Sequence, residues 1–263
     1  MLKHCILSVD YSDEWDKIYD HLPNLIQLLK IERMTLVYAV EPQKRHHLED
    51  NDTAIDSRLR RLGDELSGKL GITADHEVRH GFPAAELSAA ASKHEANAII
   101  ALNRSHSAGR AALFGNSVMH LARVSRVPVL VIPYDGKPGE RNAPLVLATD
   151  GSDAARNAQR LFEGLAHAAS GSKVVWVKDD DAGQHDEERM EPLLDDFQRR
   201  FKNLESKRII GDPAEKLTAY ADQESAALVI IGKRGNTPIP DLLVGSTAEA
   251  VARSSHRPVL LVP

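Results

Sequence analysis

The densest chemical signal in the chain is Ile231-Gly232-Lys233-Arg234-Gly235, followed after nine residues by Gly245-Ser246-Thr247. Gly232 and Gly235 would let the backbone come close to an anion, because neither carries a Cβ. Gly245 and Ser246, opening a helix, would offer unpaired N–H groups and a hydroxyl at its positive end, and Lys233 and Arg234 would add charge. This is the outline of a phosphate cradle. Asp150 closes an earlier apolar run and can accept hydrogen bonds from a ribose hydroxyl or a base amino group. A nucleotide suits this set better than a bare phosphate. Two glycines alone would leave a tight turn as the better reading; the full spacing favours the anion.

Other strings fit their chemistry less well. His76-Glu77-Val78-Arg79-His80 matches the HExxH of zinc proteases, which needs a helical turn to bring both imidazoles to one metal. Its place in the chain predicts a strand, where at roughly 3.3 Å per residue the two would stand about 13 Å apart. His46-His47 has no evident partner set and reads as an exposed loop. There is no Gly-x-Ser-x-Gly elbow, and no Walker loop, since Lys233 follows the first glycine instead of closing the run. Asp150-Gly151-Ser152-Asp153 lacks the paired glycines of a pyrophosphatase loop and reads as a strand end followed by a helix cap. The acidic stretch from Asp179 to Glu188 reads as a solvated loop. Arg104, His106 and Arg110 likewise read as a polar loop. No residue stands out as a general base beside the cradle, so slow hydrolysis of a bound nucleotide is the most chemistry expected.

The elements that must position these residues come from a duplication. The chain has 263 residues, 42% hydrophobic and 27% charged, which is long for one ordinary domain. Gly81-Phe-Pro83 returns as Gly211-Asp-Pro213, Gly115 as Gly245, and the apolar run Pro128–Pro133 as Pro258–Pro263, all at an offset of 130. Val9-Asp10 returns as Thr149-Asp150 at 140. The ten-residue difference must fall between the first and third strands of each half. Domains 1–133 and 144–263 are therefore expected, joined by a Gly- and Pro-rich linker, 134–143. In the second half, strands are predicted at 145–149, 173–177, 206–210, 228–231 and 259–262, with helices at 153–169, 187–202, 214–223 and 247–254. Ser152 is a candidate N-cap, Pro213 suits a first helical turn, and Pro23 should kink the first helix of the N-terminal half. Each half reads as an α/β unit with a five-stranded parallel sheet. In such sheets ligands bind beyond the carboxyl ends of the strands where the strand order reverses, which points to the loops after strands one and four.

Composition excludes several classes. A single cysteine, Cys5, in an apolar run, forbids an intrachain disulfide and reads as a buried thiol. Up to Arg141 there are 18 basic against 19 acidic residues, and beyond it 15 against 19, so neither half has the basic excess of a nucleic-acid binder. The apolar runs are too short to span a membrane, and a cytoplasmic location is expected.

Gly-x2-Gly-x9-Gly-Ser/Thr after a strand, with an aspartate ending the first strand, resembles the ATP-binding branch of the universal stress protein family. The likeness covers almost the whole chain as a tandem pair. It implies two Rossmann-like domains of the adenine nucleotide alpha hydrolase-like type and ATP bound by the second, with Mg²⁺ or Mn²⁺ on the phosphates. The implied contacts are Gly232, Gly235, Gly245 and Ser246, with flanking Ile231, Lys233, Arg234 and Thr247, to phosphates and ribose, Asp150 to the adenosine and Val177 to adenine. The first half departs from the pattern: Leu102, Ser105 and Asn116 stand where Gly232, Gly235 and Ser246 do, with Gly115 kept and Asp10 and Val40 at the other ends. Leu102 and Ser105 carry Cβ atoms, so the N-terminal half is expected not to bind ATP in that manner. The likeness also implies that the last strands pair the two halves with each other, leaving a homodimer open. The expected role is a stress-response regulator acting through its nucleotide state, the alternatives being a nucleotide-independent scaffold and a weak ATPase.

Overall fold

Among the described residues, ten strands and eight helices alternate. In the computed structural model, which describes residues 2–11, 17–42, 52–103, 111–140, 142–167, 169–178, 184–235 and 244–263, the N-terminal half runs β1 (His4–Val9), α1 (Ile18–Leu29), β2 (Arg33–Val40), α2 (Asp52–Leu70), β3 (Thr73–His80), α3 (Pro83–Lys93), β4 (Ala98–Asn103), α4 (Ala111–Val124) and β5 (Val129–Pro133). The C-terminal half repeats the order: β6 (Leu145–Ala148), α5 (Arg156–Ala166), β7 (Ser172–Lys178), α6 (Gln184–Arg200), β8 (Leu204–Ile210), α7 (Pro213–Gln223), β9 (Leu228–Gly232), α8 (Ser246–Ser254) and β10 (Val259–Val262).

The strands form one sheet in the order β3-β2-β1-β4-β5-β10-β9-β6-β7-β8. Neighbours are parallel except β5 and β10, which run antiparallel with Leu130 opposite Leu260. Side chains alternate between the two faces, as strand geometry demands. Cys5, Leu7 and Val9 join one buried cluster with α1, α2, α5 and α6, while Ile6 joins a second with α3, α4, α7 and α8. Burial on both faces explains the near-continuous apolar runs at β4, β5, β9 and β10.

Local chemistry fixes the ends of the elements. The Ser152 Oγ accepts from the Ala155 N–H at 3.3 Å and caps a short 3-10 turn, Asp153–Ala155, that leads into α5. Asp212 caps α7 through the Glu215 N–H at 2.8 Å, with Pro213 in the first turn. Pro23 lies inside α1, which continues through it to Leu29. The N–H of Gly81 donates to Val40 O at 3.1 Å and that of Gly211 to Lys178 O at 3.0 Å, so Val40 is the structural counterpart of Lys178. The counterpart of Val177 is therefore Ala39, not Val40, a one-residue correction that matters because successive strand residues face opposite ways. Val40 belongs to the first cluster and Val177 packs against the second.

Candidate functional site

In the C-terminal half the chain starts at β6, moves outward to β7 and β8, then crosses to β9 and β10, so the strand order reverses between β6 and β9. Ala148 pairs with Ile231 on one side and Val175 on the other, which aligns the loops after β6 and β9 at the carboxyl edge of the sheet. Asp150 and Gly235 meet there. A Cβ built on Gly235 would lie 2.6 Å from the Asp150 Oδ2, closer than any real side chain could sit. One built on Gly232 would lie 3.0 Å from Arg234 O and 3.1 Å from the Ala155 Cα, at the 3-10 turn that follows β6. A side chain at position 235 would have to displace the Asp150 carboxylate, and one at position 232 would force the surrounding backbone to give by a few tenths of an ångström, independently of any ligand.

Asp150 is held by its own turn: the Oδ1 accepts the Ser152 N–H at 2.9 Å, and the carbonyl accepts from the Arg189 Nε at 3.0 Å. Arg189 also pairs with Asp186 at 2.7 Å. It is a cation on α6 beside the β6 loop that sequence reasoning missed, hidden within an ordinary charged helical stretch. Thr149, likewise missed, is buried, and its Oγ1 accepts the Gly151 N–H at 3.1 Å and the Gln159 Nε2 at 2.9 Å, fixing the turn from inside.

Three expectations for the loop need correction. The Lys233 side chain does not add charge to the cradle: it is buried, and its Nζ donates to Ser125 O at 2.9 Å and Arg123 O at 3.4 Å, at the end of α4 in the other half. A cation is favoured at a helix carboxyl end, where the carbonyls lack intrahelical donors. Burial first, then the adjacent Arg234, push the ammonium pKa down to about 8. The Gly245 N–H is not available to an anion, because it donates to Lys233 O at 2.7 Å. Ile231 is a core residue, packed with Val244, Ala248 and Val251 under α8. Arg234, Gly235 and Ser246 are exposed, Thr247 and Val177 half-buried. Ser246 and Thr247 occupy the first turn of α8, whose N–H groups have no intrahelical acceptor.

The matching place in the N-terminal half is a cavity of about 90 Å³ whose lining includes Asp10, Tyr38, Ala39, Glu41 and Leu102. Leu102 is buried there at the end of β4 and belongs to the first core cluster. Arg104, Ser105, His106, Arg110, His46, His47 and the Asn116 side chain lie outside the described residues, as do Asp179 to Gly183 of the acidic stretch. His76 and His80 sit on β3 and pair with Asp56 at 3.3 Å and Asp52 at 3.0 Å on α2, while Glu77 pairs with Arg79, Lys93 and His94. Among the described residues no cluster of three or more His, Cys, Asp or Glu could hold a metal ion, and no helix is long and apolar enough to cross a membrane.

The family model described as "Universal stress protein family" matches residues 1–133 and again 142–263. The chain belongs to that family. A universal stress protein of Mycobacterium tuberculosis strain H37Rv is 26% identical over 140 residues, which is 45% of this chain and 94% of the relative. A solved universal stress protein from Archaeoglobus fulgidus superposes with a TM-score of 0.74 at 20% identity, covering 98% of this chain and 95% of its own. A universal stress protein solved in complex with cAMP is also similar, at 23% identity and a TM-score of 0.37, over 46% of this chain and 97% of its own. As a universal stress protein, this chain is placed among stress-response proteins with an α/β fold.

Proposed function

We propose that the C-terminal half, 144–263, binds ATP, with Mg²⁺ or Mn²⁺ carried on its phosphates, and that this occupancy is the signal of a cytoplasmic stress-response regulator. The observation that carries the reading is the contact of Asp150 with Gly235. It brings a hydrogen-bonding carboxylate and side-chain-free backbone to one edge of the sheet, beside the first turn of α8. Gly232, Gly235, Ser246 and Thr247 would take the phosphates, Asp150 the ribose, and Val177 the base. Arg234, exposed at the same edge, would add charge that Lys233 does not. The divalent ion would neutralise phosphate charge and be held by the phosphate oxygens, since the described residues offer no donor set for it. The domains would be 1–133 and 144–263, joined by 134–143 and paired with each other through β5 and β10, so that no second chain is needed to complete the sheet.

Isothermal titration of Mg-ATP into the full chain is expected to give one site. Asp150→Asn and Gly232→Val should each weaken binding by at least about tenfold, equal to about 1.4 kcal/mol. Absence of binding by the wild type, or binding that responds to Leu102→Ala and not to Asp150→Asn, overturns the reading and leaves the nucleotide-independent scaffold. Sustained ADP production lost in Asp150→Asn would instead make the protein a slow ATPase.

A further inference from the structure

The antiparallel pairing of β5 and β10 puts Leu130 opposite Leu260, residues that are themselves equivalent at the offset of 130. The junction is therefore a local twofold, and what one half does to the other should be returned. The residue after the fourth-strand position of Gly232 is Lys233 in the second half and Asn103 in the first, again at an offset of 130. The Lys233 Nζ donates to Arg123 O and Ser125 O at the end of α4. The Asn103 Nδ2 donates to Ala252 O at 3.0 Å and Arg253 O at 3.3 Å at the end of α8. Lys233 and Asn103 are both buried. The receiving helix ends match too: Ser125 and Ser255 are buried, and their hydroxyls bond Val127 and Arg257 in the same way.

A third link departs from the symmetry. The Arg123 Nη2 donates to both carboxylate oxygens of Glu249, at 2.8 and 2.7 Å, whereas the residue of the first half corresponding to Glu249 is Met119. Glu249 stands on α8, three residues beyond Ser246. Both pieces of the phosphate loop, the turn at 232–235 and the first turns of α8, are thus fastened to the end of α4.

We infer that Lys233 and Asn103 are reciprocal positioning residues, through which the N-terminal half, though it lacks a glycine cradle, holds the nucleotide loop of the C-terminal half in its binding geometry. The main chain of Lys233 makes this possible: its N–H donates to Val262 O at 2.7 Å and its carbonyl accepts from the Gly245 N–H, so a pull on the side chain is a pull on the junction of β9, β10 and α8. The consequence is two-way. Filling the site stiffens the end of α4, and loosening α4 costs affinity. The reading gives the degenerate half a reason to be there, and it rests on the nucleotide site proposed above only for the identity of the ligand.

Amide hydrogen exchange on the full chain tests it, without and with Mg-ATP. Without ligand, Lys233→Met, which keeps the stem and removes the ammonium, should speed exchange at 121–127 and at 232–235. Asn103→Ala should do so at the end of α8, 251–255, and leaves the nucleotide loop unaltered should the Lys233 variant fold poorly. With Mg-ATP, the wild type should gain protection at 121–127. Lys233→Met should bind about tenfold more weakly and confine its protection to the C-terminal half. Equal ligand-free exchange in wild type and both variants overturns the inference, as does ATP protection of 121–127 that survives in Lys233→Met. Failure of the wild type to bind ATP strikes the nucleotide reading alone, because the ligand-free arms still decide whether the two halves are tied.

Discussion

At the residue scale the three motif glycines do different things. A Cβ on Gly245 would have Lys233 O as its nearest neighbour at 3.5 Å, an ordinary contact, and the backbone there, at φ −69° and ψ 150°, suits any residue. A Cβ on Gly235 must displace the Asp150 carboxylate. Gly245→Ala should therefore shift the melting temperature by no more than a few degrees and leave ATP affinity within about twofold of wild type, a cap exchange being worth about 1 kcal/mol. Gly235→Ala should lower affinity by about tenfold or more, and parallel titrations with thermal melts distinguish the two. The sequence pattern presents these glycines as equals, since spacing records that a side chain is missing and not what fills the space. It likewise counted Lys233 among the loop charges, because no local signal reveals that a lysine turns toward a helix end more than a hundred residues away. Cys5 was legible from its apolar run. It is fully buried, and burial raises its pKa to about 12. In native protein at pH 8 it should resist a disulfide reagent, and in denaturant it should titrate as one thiol per chain.

At the element scale, alternating apolar runs and helical periods were enough to order every strand and helix of the C-terminal half, with end points within a few residues. HExxH was legible as a strand only because the repeat fixed its place, and the structure gives its glutamate a different job. Glu77 on β3 receives hydrogen bonds from Lys93 and His94 at the end of α3, at 2.9 and 2.7 Å. Burial pushes its pKa up, but these bonds and the charge of Arg79 outweigh burial and hold it at about 2. A carboxyl whose pKa is lower folded than unfolded adds stability above its unfolded value, near 4.5, and loses it as pH falls toward about 2. Glu77→Gln should thus cost about 2 kcal/mol at pH 7, a difference that shrinks between pH 4.5 and 2 in urea titrations. A difference independent of pH would mean that shape and not charge joins β3 to α3. The one-residue slip between Val40 and Val177 arose at this scale as well: halves related by a change of offset cannot be aligned inside the interval where the offset changes.

At the scale of the whole molecule, the duplication was readable from the residues, whereas the pairing of the last strands was expected only from the family likeness, since apolar strands look the same at an edge and at a centre. Taken alone, each half would leave β5 or β10 as an exposed apolar edge, an invitation to aggregate. In the joined sheet both strands are buried, and each of the two core clusters draws residues from both halves, Leu130 with Leu260 in one and Val131 with Val259 in the other. Gly139 in the connecting segment lies so close to Ala227 that a Cβ would come within 2.6 Å of its Cα, and the Asn24 side chain bonds the Gly139 carbonyl. These contacts predict one cooperative transition. At about 0.7 kcal/mol per residue near 60 °C, 263 residues unfolding together give a van't Hoff enthalpy of about 180 kcal/mol, against about 90 for halves that melt separately. Calorimetry separates these values easily. Leu260→Asp, which places a charge opposite Leu130 on the local twofold, should lower the melting temperature and divide the transition toward the smaller enthalpy. Should the wild type already melt in two steps, the shared clusters would be passive contact, and the ties from Lys233 and Asn103 would have no rigid frame through which to act.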